Sequence, residues 1–171
     1  HAGIFYGDLG SSPTELARTA VTDPGAVIGR LRDNDALGYA RDLLAPFGFL
    51  PLLAPGIVAV AVPQFLANSL TTASFFYDIR FHYTAVIVAT LAIATVEAIA
   101  FLRRDGMRRG AVGLVAAAAL ATSVAWGISP LGTQYRSGYW PLHGNARQDV
   151  LDEAVGAVPE GAAVAATYYI V

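Results

Sequence analysis

The side chains best suited to chemistry sit in one short run, Asp78-Ile79-Arg80-Phe81-His82-Tyr83. The run brings together an acid, a cation and a base, and polar groups at the edge of a membrane are costly and often functional. The plainer reading is that Asp78 and Arg80 anchor an interface and His82 caps the helix that follows. A second set is Tyr139 and Trp140, with Tyr135 before them. Such residues form an interfacial aromatic belt, or a platform on which a sugar stacks. Glu97 follows His82 by about 22 Å along a helix axis, so the two cannot act as a catalytic pair. Its expected role is to pair with Arg104 or Arg108. No glycine-rich phosphate loop, His-Glu-x-x-His or nucleophile elbow is present, and no cofactor is evident. With no cysteine, the chain has no disulfide, thiolate metal site or cysteine nucleophile.

The elements that position these residues belong in a bilayer. Only 14% of the 171 residues are charged and 55% are hydrophobic, too few polar side chains to cover a soluble globule. A net charge of −2 gives no footprint for nucleic acid. All basic residues are Arg. Residues 81–102 (FHYTAVIVATLAIATVEAIAFL) and 110–128 (GAVGLVAAAALATSVAWGI) each reach the ~20 apolar residues that a spanning helix needs. Between them lies Arg103-Arg104-Asp105-Gly106-Met107-Arg108-Arg109, and an arginine-rich connection of this kind marks the cytoplasmic side. The 81–102 helix then starts outside, and the tail from Pro130 is extracytoplasmic. Gly113, Ala117, Ala121 and Ala125 repeat every four residues, a spacing that suits close helix contact within a larger bundle.

Residues 43–74 are charge-free but interrupted by Pro46, Pro51, Pro55 and Pro63. Proline removes a backbone donor and breaks helices. The stretch is either a proline-broken span, favoured by the arginines at 18, 30, 32 and 41, or a re-entrant hairpin, favoured by the prolines. The first puts residues 1–42 in the cytoplasm and the second keeps them outside. Those residues form amphipathic helices, either a layer lying at the interface or a small helical cap with no membrane contact. Ser12-Pro13-Thr14-Glu15 is a capping box with Pro at the first helical position. Asp23-Pro24 repeats the signal, and Asp35 caps a third helix, Ala36–Leu44. Residues 130–171 read as a helix with an apolar face (Val150, Leu151, Ala154, Val155, Val158), a Pro159-Glu160-Gly161 turn and a strand from Ala162 to Val171. The fold class is thus mainly α: a fragment of a polytopic membrane protein with a C-terminal α/β piece. Its transmembrane region is 43–129.

The run from Pro46 to Pro55 (PFGFLPLLAP), then Val62 to Leu70 (VPQFLANSL), then His82-Tyr83 and Ala154 to Val164 (AVGAVPEGAAV) resembles a bacterial and archaeal multi-pass membrane family, domain of unknown function 2079. The likeness extends over roughly residues 5–171. His82 and Tyr83 match the family's His-Tyr pair. The resemblance implies a longer chain in the cytoplasmic membrane, with the remaining helices of that chain and the lipid bilayer as partners. It also implies a likeness to glycosyltransferases that use polyprenyl-phosphate sugars. Those enzymes carry their acidic residues in an early extracytoplasmic loop, which has no counterpart here, so no catalytic carboxylate carries over. The catalytic candidates remain Asp78, Arg80, His82 and Tyr83, and the substrate-binding candidates Tyr139 and Trp140. A transporter or flippase, and a scaffold without chemistry, are the alternatives.

Overall fold

The computed structural model describes residues 3–127, 131–133, 146–159 and 161–162. They fall in two units, 1–122 and 123–171. In the first unit, short helices lead into two long ones: α1 (Gly3–Tyr6), α2 (Pro13–Thr22), α3 (Pro24–Asp33), α4 (Ala36–Leu44), α5 (Pro55–Ser69), α6 (Ala85–Phe101) and α7 (Asp105–Trp126). The last runs on into the second unit, which also holds α8 (Ala146–Gly156).

Helices α2, α3 and α4 start where their caps place them. The Ser12 hydroxyl accepts from Glu15 N–H, Asp23 from Ala26 N–H at 3.1 Å, and Asp35 from Gly38 N–H at 3.2 Å. The capping box differs in one respect. The Glu15 carboxylate reaches past Ser12 and accepts from the amide and hydroxyl of Ser11 at 2.6 and 2.7 Å. These bonds hold the Glu15 carboxyl below its ordinary pKa. Each cap satisfies a donor that the first helical turn leaves unpaired.

Between α4 and α5 the prolines act as breakers. Residues 45–47 and 50–53 form single 3-10 turns, with Gly48 and Phe49 both left-handed at φ 59° and 60°. At Gly48 a Cβ would lie 2.8 Å from Leu114 Cγ of α7, so the site demands glycine twice, for its φ and for space. Gly48→Ala is expected to cost about 1–2 kcal/mol, read as a lower unfolding midpoint in detergent, with Gly56→Ala, an open helical position, as control.

Helices α5 and α6 pack antiparallel. Ala54, at the start of α5, clusters with Ala94 and Ala98 of α6, while Ala61 meets Ile87 and Leu91. At the far end Asn68 reaches Tyr83. The buried face of α6 is Ile87, Leu91, Ala94, Thr95 and Ala98, a helical periodicity hidden inside an all-apolar sequence. The alanines let the backbones approach closely, as they do between helices in lipid. Tyr39 and Leu43 of α4 lie on the same cluster, and Tyr39 stacks on Phe65 with centroids 5.4 Å apart.

Among the described residues two helices are long and apolar enough to cross a membrane: α6 with its preceding turn (His82–Phe101) and α7 (Asp105–Trp126). Only 33% and 6% of their most apolar windows are buried. Core helices of a soluble domain would be covered, so these faces fit lipid or further helices. Gly113, Ala117, Ala121 and Ala125 all lie on exposed surface of α7.

Three expectations need correcting. Helix α7 begins at Asp105, not Gly110, so only Leu102, Arg103 and Arg104 connect the long helices. An aspartate in the first turn favours a helix start there. Glu97 pairs with neither Arg104 nor Arg108. It is exposed, and Arg108 turns instead to the end of α6, donating from Nε to the Leu102 carbonyl at 2.7 Å and from Nη2 to the Ala100 carbonyl at 3.3 Å. Those carbonyls lack intrahelical donors, which makes them the better acceptors. The C-terminal α/β piece finds no support: among the described residues there is no strand, and Ala163–Val171 lies outside them. The helix before it forms as α8, with Val150 and Val155 exposed.

Candidate functional site

Among the candidate residues the structure joins Asp78 to Arg80, and His82 to Tyr83. Arg80 folds over the Asp78 carboxylate: Nε donates to both oxygens at 2.9 and 3.0 Å, Nη2 to Oδ2 at 2.5 Å, and the Arg80 amide to Oδ1 at 3.0 Å. The Asp78 side chain is 23% exposed, the Arg80 side chain 65%. The guanidinium hydrogen bond holds the Asp78 carboxyl below its ordinary range, and the carboxylate pushes Arg80 further up. Asp78 is therefore ionised at neutral pH, suited to holding charge rather than shuttling a proton. The sign of its pH effect follows. A depressed folded pKa gives stability that is present above the ordinary carboxylate value near ~4 and lost as pH falls through the folded value. Asp78→Asn is thus expected to shift the unfolding midpoint equally at pH 6 and pH 8, with the difference from the parent shrinking as pH falls below about 4. A difference that changes between pH 6 and 8 would contradict this.

His82 is exposed and opens the 3-10 turn that precedes α6. Its ring lies 4.2 Å from that of Tyr83. No hydrogen bond links it to the Asp78–Arg80 pair among the described residues. Tyr83 belongs to an aromatic patch with Phe75 and Phe76, whose centroids lie 5.6 and 4.2 Å away. Phe81 and Phe5 of α1 extend this patch. The density of aromatics from Phe75 to Tyr83 was the signal for it. Tyr139 and Trp140 lie outside the described residues.

The segment carrying Asp78 is pinned on both sides. Tyr77 and Ile79 pack against the cluster of Tyr39, Leu43, Ala61, Ile87 and Leu91. Four of those residues, Leu43, Ala61, Ile87 and Leu91, also line an open groove of about 150 Å³ between α4, α5 and α6. Its remaining walls, which include Val58 and Phe65, are apolar throughout. Tyr77 and Ile79, on either side of Asp78, thus pack on the same apolar cluster that lines the groove.

A polar hub holds these parts together, and sequence reasoning missed it. Asn68, 1% exposed, donates from Nδ2 to the Tyr39 hydroxyl at 3.0 Å and to the Tyr83 carbonyl at 3.1 Å. Its Oδ1 accepts from Gln64 Nε2 at 2.8 Å. Burial raises the pKa of the Tyr39 phenol, which stays neutral. Next to the hub, Asn34, which caps the C-terminus of α3, donates to the carbonyls of Ser69 and Thr71, both at 2.7 Å. The available signal was Gln64 and Asn68 one turn apart in a charge-free stretch, where polar side chains are expensive.

Among the described residues no group of three or more His, Cys, Asp or Glu comes together as a metal site. No curated protein matches the chain, and neither does any solved structure. A family model described as "Predicted membrane protein (DUF2079)" matches residues 2–171, nearly the whole length, and the chain accordingly belongs to that membrane protein family.

Proposed function

We propose that this chain forms part of a membrane enzyme that transfers a sugar from a polyprenyl-phosphate-linked donor at the outer face of the cytoplasmic membrane. The observation that carries the reading is the apolar groove between α4, α5 and α6, with the Asp78–Arg80 segment anchored on its lining. An amphiphile has the matching form: a hydrocarbon tail for the groove and a phosphate for the arginine. The aromatic patch around Tyr83 offers flat faces on which a sugar ring stacks. The outer placement rests on the arginine-rich connection at the opposite end of α6. The 15 residues of α5 rise only about 22 Å, less than the ~30 Å of a bilayer core, which favours the re-entrant form of residues 43–74.

The test is Ala61→Phe in the intact protein. Ala61 lines the groove and is 4% exposed. The larger ring fills space that the tail needs, and forcing it aside costs about 1–3 kcal/mol. Cross-linking by a photoactivatable polyprenyl phosphate should weaken about tenfold while the unfolding midpoint stays within a few degrees. Unchanged cross-linking by a folded Ala61→Phe protein would remove the groove from the proposal.

One feature favours a second reading, a transporter or flippase. Pro63 lies inside α5, and residues 45–53 are broken into short turns, as in the discontinuous helices of transport sites. Reconstituted protein that moves a lipid-linked sugar across vesicles without forming a glycoside product would select this reading.

A further inference from the structure

We infer that Arg103, Arg104 and Arg109 form a docking surface for the headgroups of acidic phospholipids, in the leaflet where α6 ends and α7 begins. The inference is independent of the transferase reading. The connection between the two long helices is three residues, Leu102 to Arg104, with an apolar helix on either side. That length holds the arginines at headgroup depth. Residues 103–109 carry four arginines against one aspartate. Arg108 is committed to the carbonyls of Ala100 and Leu102. The ion pairs among the described residues are Arg30–Asp8, Arg41–Asp42 and Arg80–Asp78, so Arg103, Arg104 and Arg109 have no carboxylate. The nearby acids, Glu97 and Asp105, are exposed and pair with none of them.

Three like charges in two turns repel one another unless a counter-charge arrives. A phosphodiester supplies it in the geometry a guanidinium fork prefers, with two parallel N–H···O bonds. Met107, 52% exposed in the same turn, offers an apolar side chain for the acyl boundary. A zwitterionic headgroup brings its own cation and neutralises little, so the surface should select net-negative lipids.

The test uses the intact protein in vesicles, with one cysteine at Gly106 carrying a fluorophore. Residues 1–171 contain no other cysteine, and a Cβ at Gly106 meets nothing within 4 Å. Quenching is compared between brominated phosphatidylglycerol and brominated phosphatidylcholine at equal mole fraction. The expected result is a preference of about threefold or more for the acidic lipid, weakening in high salt. The preference should disappear in R103Q/R104Q/R109Q and survive in R103K/R104K/R109K. Equal quenching by the two lipids in the parent would overturn the proposal, as would its abolition by inorganic phosphate at constant ionic strength, which would mark a site for free phosphate. Should the glutamine variant fail to insert, the salt series on the parent still decides: a preference unmoved by salt also overturns it.

Discussion

Asn68→Leu should destabilise the α4–α5–α6 assembly by about 3–4 kcal/mol, the largest loss expected from one substitution in this chain. The side chain is 1% exposed and makes three hydrogen bonds, to Tyr39, Gln64 and Tyr83. Leucine keeps the branching at Cγ and is the larger side chain, so no cavity is left. What it does is strand the Tyr39 hydroxyl, the Gln64 amide and the Tyr83 carbonyl, each costing about 1–3 kcal/mol if it finds no water. Single hydrogen bonds between membrane helices average nearer ~0.6 kcal/mol, because the unfolded chain in lipid also finds partners. The estimate is therefore set below the sum of the three penalties. Tyr39→Phe removes one partner and should cost about 1 kcal/mol. In the double variant Tyr39 is no longer stranded, so the two losses should fall short of additive by about 1 kcal/mol. Equilibrium unfolding in mixed micelles measures all three. Strict additivity, or a loss below ~1 kcal/mol for Asn68→Leu, would mean the hub is solvated and holds nothing.

The hub also marks the limit of what the sequence discloses. Caps at Ser12, Asp23 and Asp35 are legible because a side chain and an amide three residues away decide them locally. The two long apolar helices are legible because their length and apolarity are properties of the sequence itself. Which face of α6 is buried is not, since every face is apolar; the choice is made by Ala54 and Ala61 across the contact. Asn68 reads as an isolated polar residue until α4 and α6 bring Tyr39 and Tyr83 to it from 29 and 15 positions away. Glu97 failed for a related reason. Proximity in sequence suggested an arginine partner, but the free carbonyls of Ala100 and Leu102 competed for Arg108. Of the candidate site, Asp78 with Arg80 and His82 with Tyr83 were legible as neighbours, whereas the groove beside them depends on three helices and leaves no local signature.

That groove makes the Asp78–Arg80 pair testable in a way a surface ion pair is not. The pair holds residues only two apart and Arg80 is largely solvated, so its structural worth is below about 1 kcal/mol. Removing it should leave folding nearly intact. If Arg80 instead holds the phosphate of a lipid-linked donor, the loss falls on chemistry. A charge-assisted bond to a developing anion contributes far more in a partly dry site, and removing such a donor typically lowers turnover 10²–10³-fold. The triple variant Asp78→Ala, Arg80→Ala, His82→Ala should therefore lose about a hundredfold of sugar transfer from a polyprenyl phosphate donor in membranes, with an unfolding midpoint shifted by only a few degrees. Arg80→Lys should recover part of the activity, because the charge returns without the fork. Asp78→Asn alone should cost less than Arg80→Gln, since it frees the guanidinium rather than deleting it. A triple variant that folds and transfers sugar at the parent rate would reduce the pair to an interface anchor, and the proposed transfer would then need its charged groups from elsewhere in the protein.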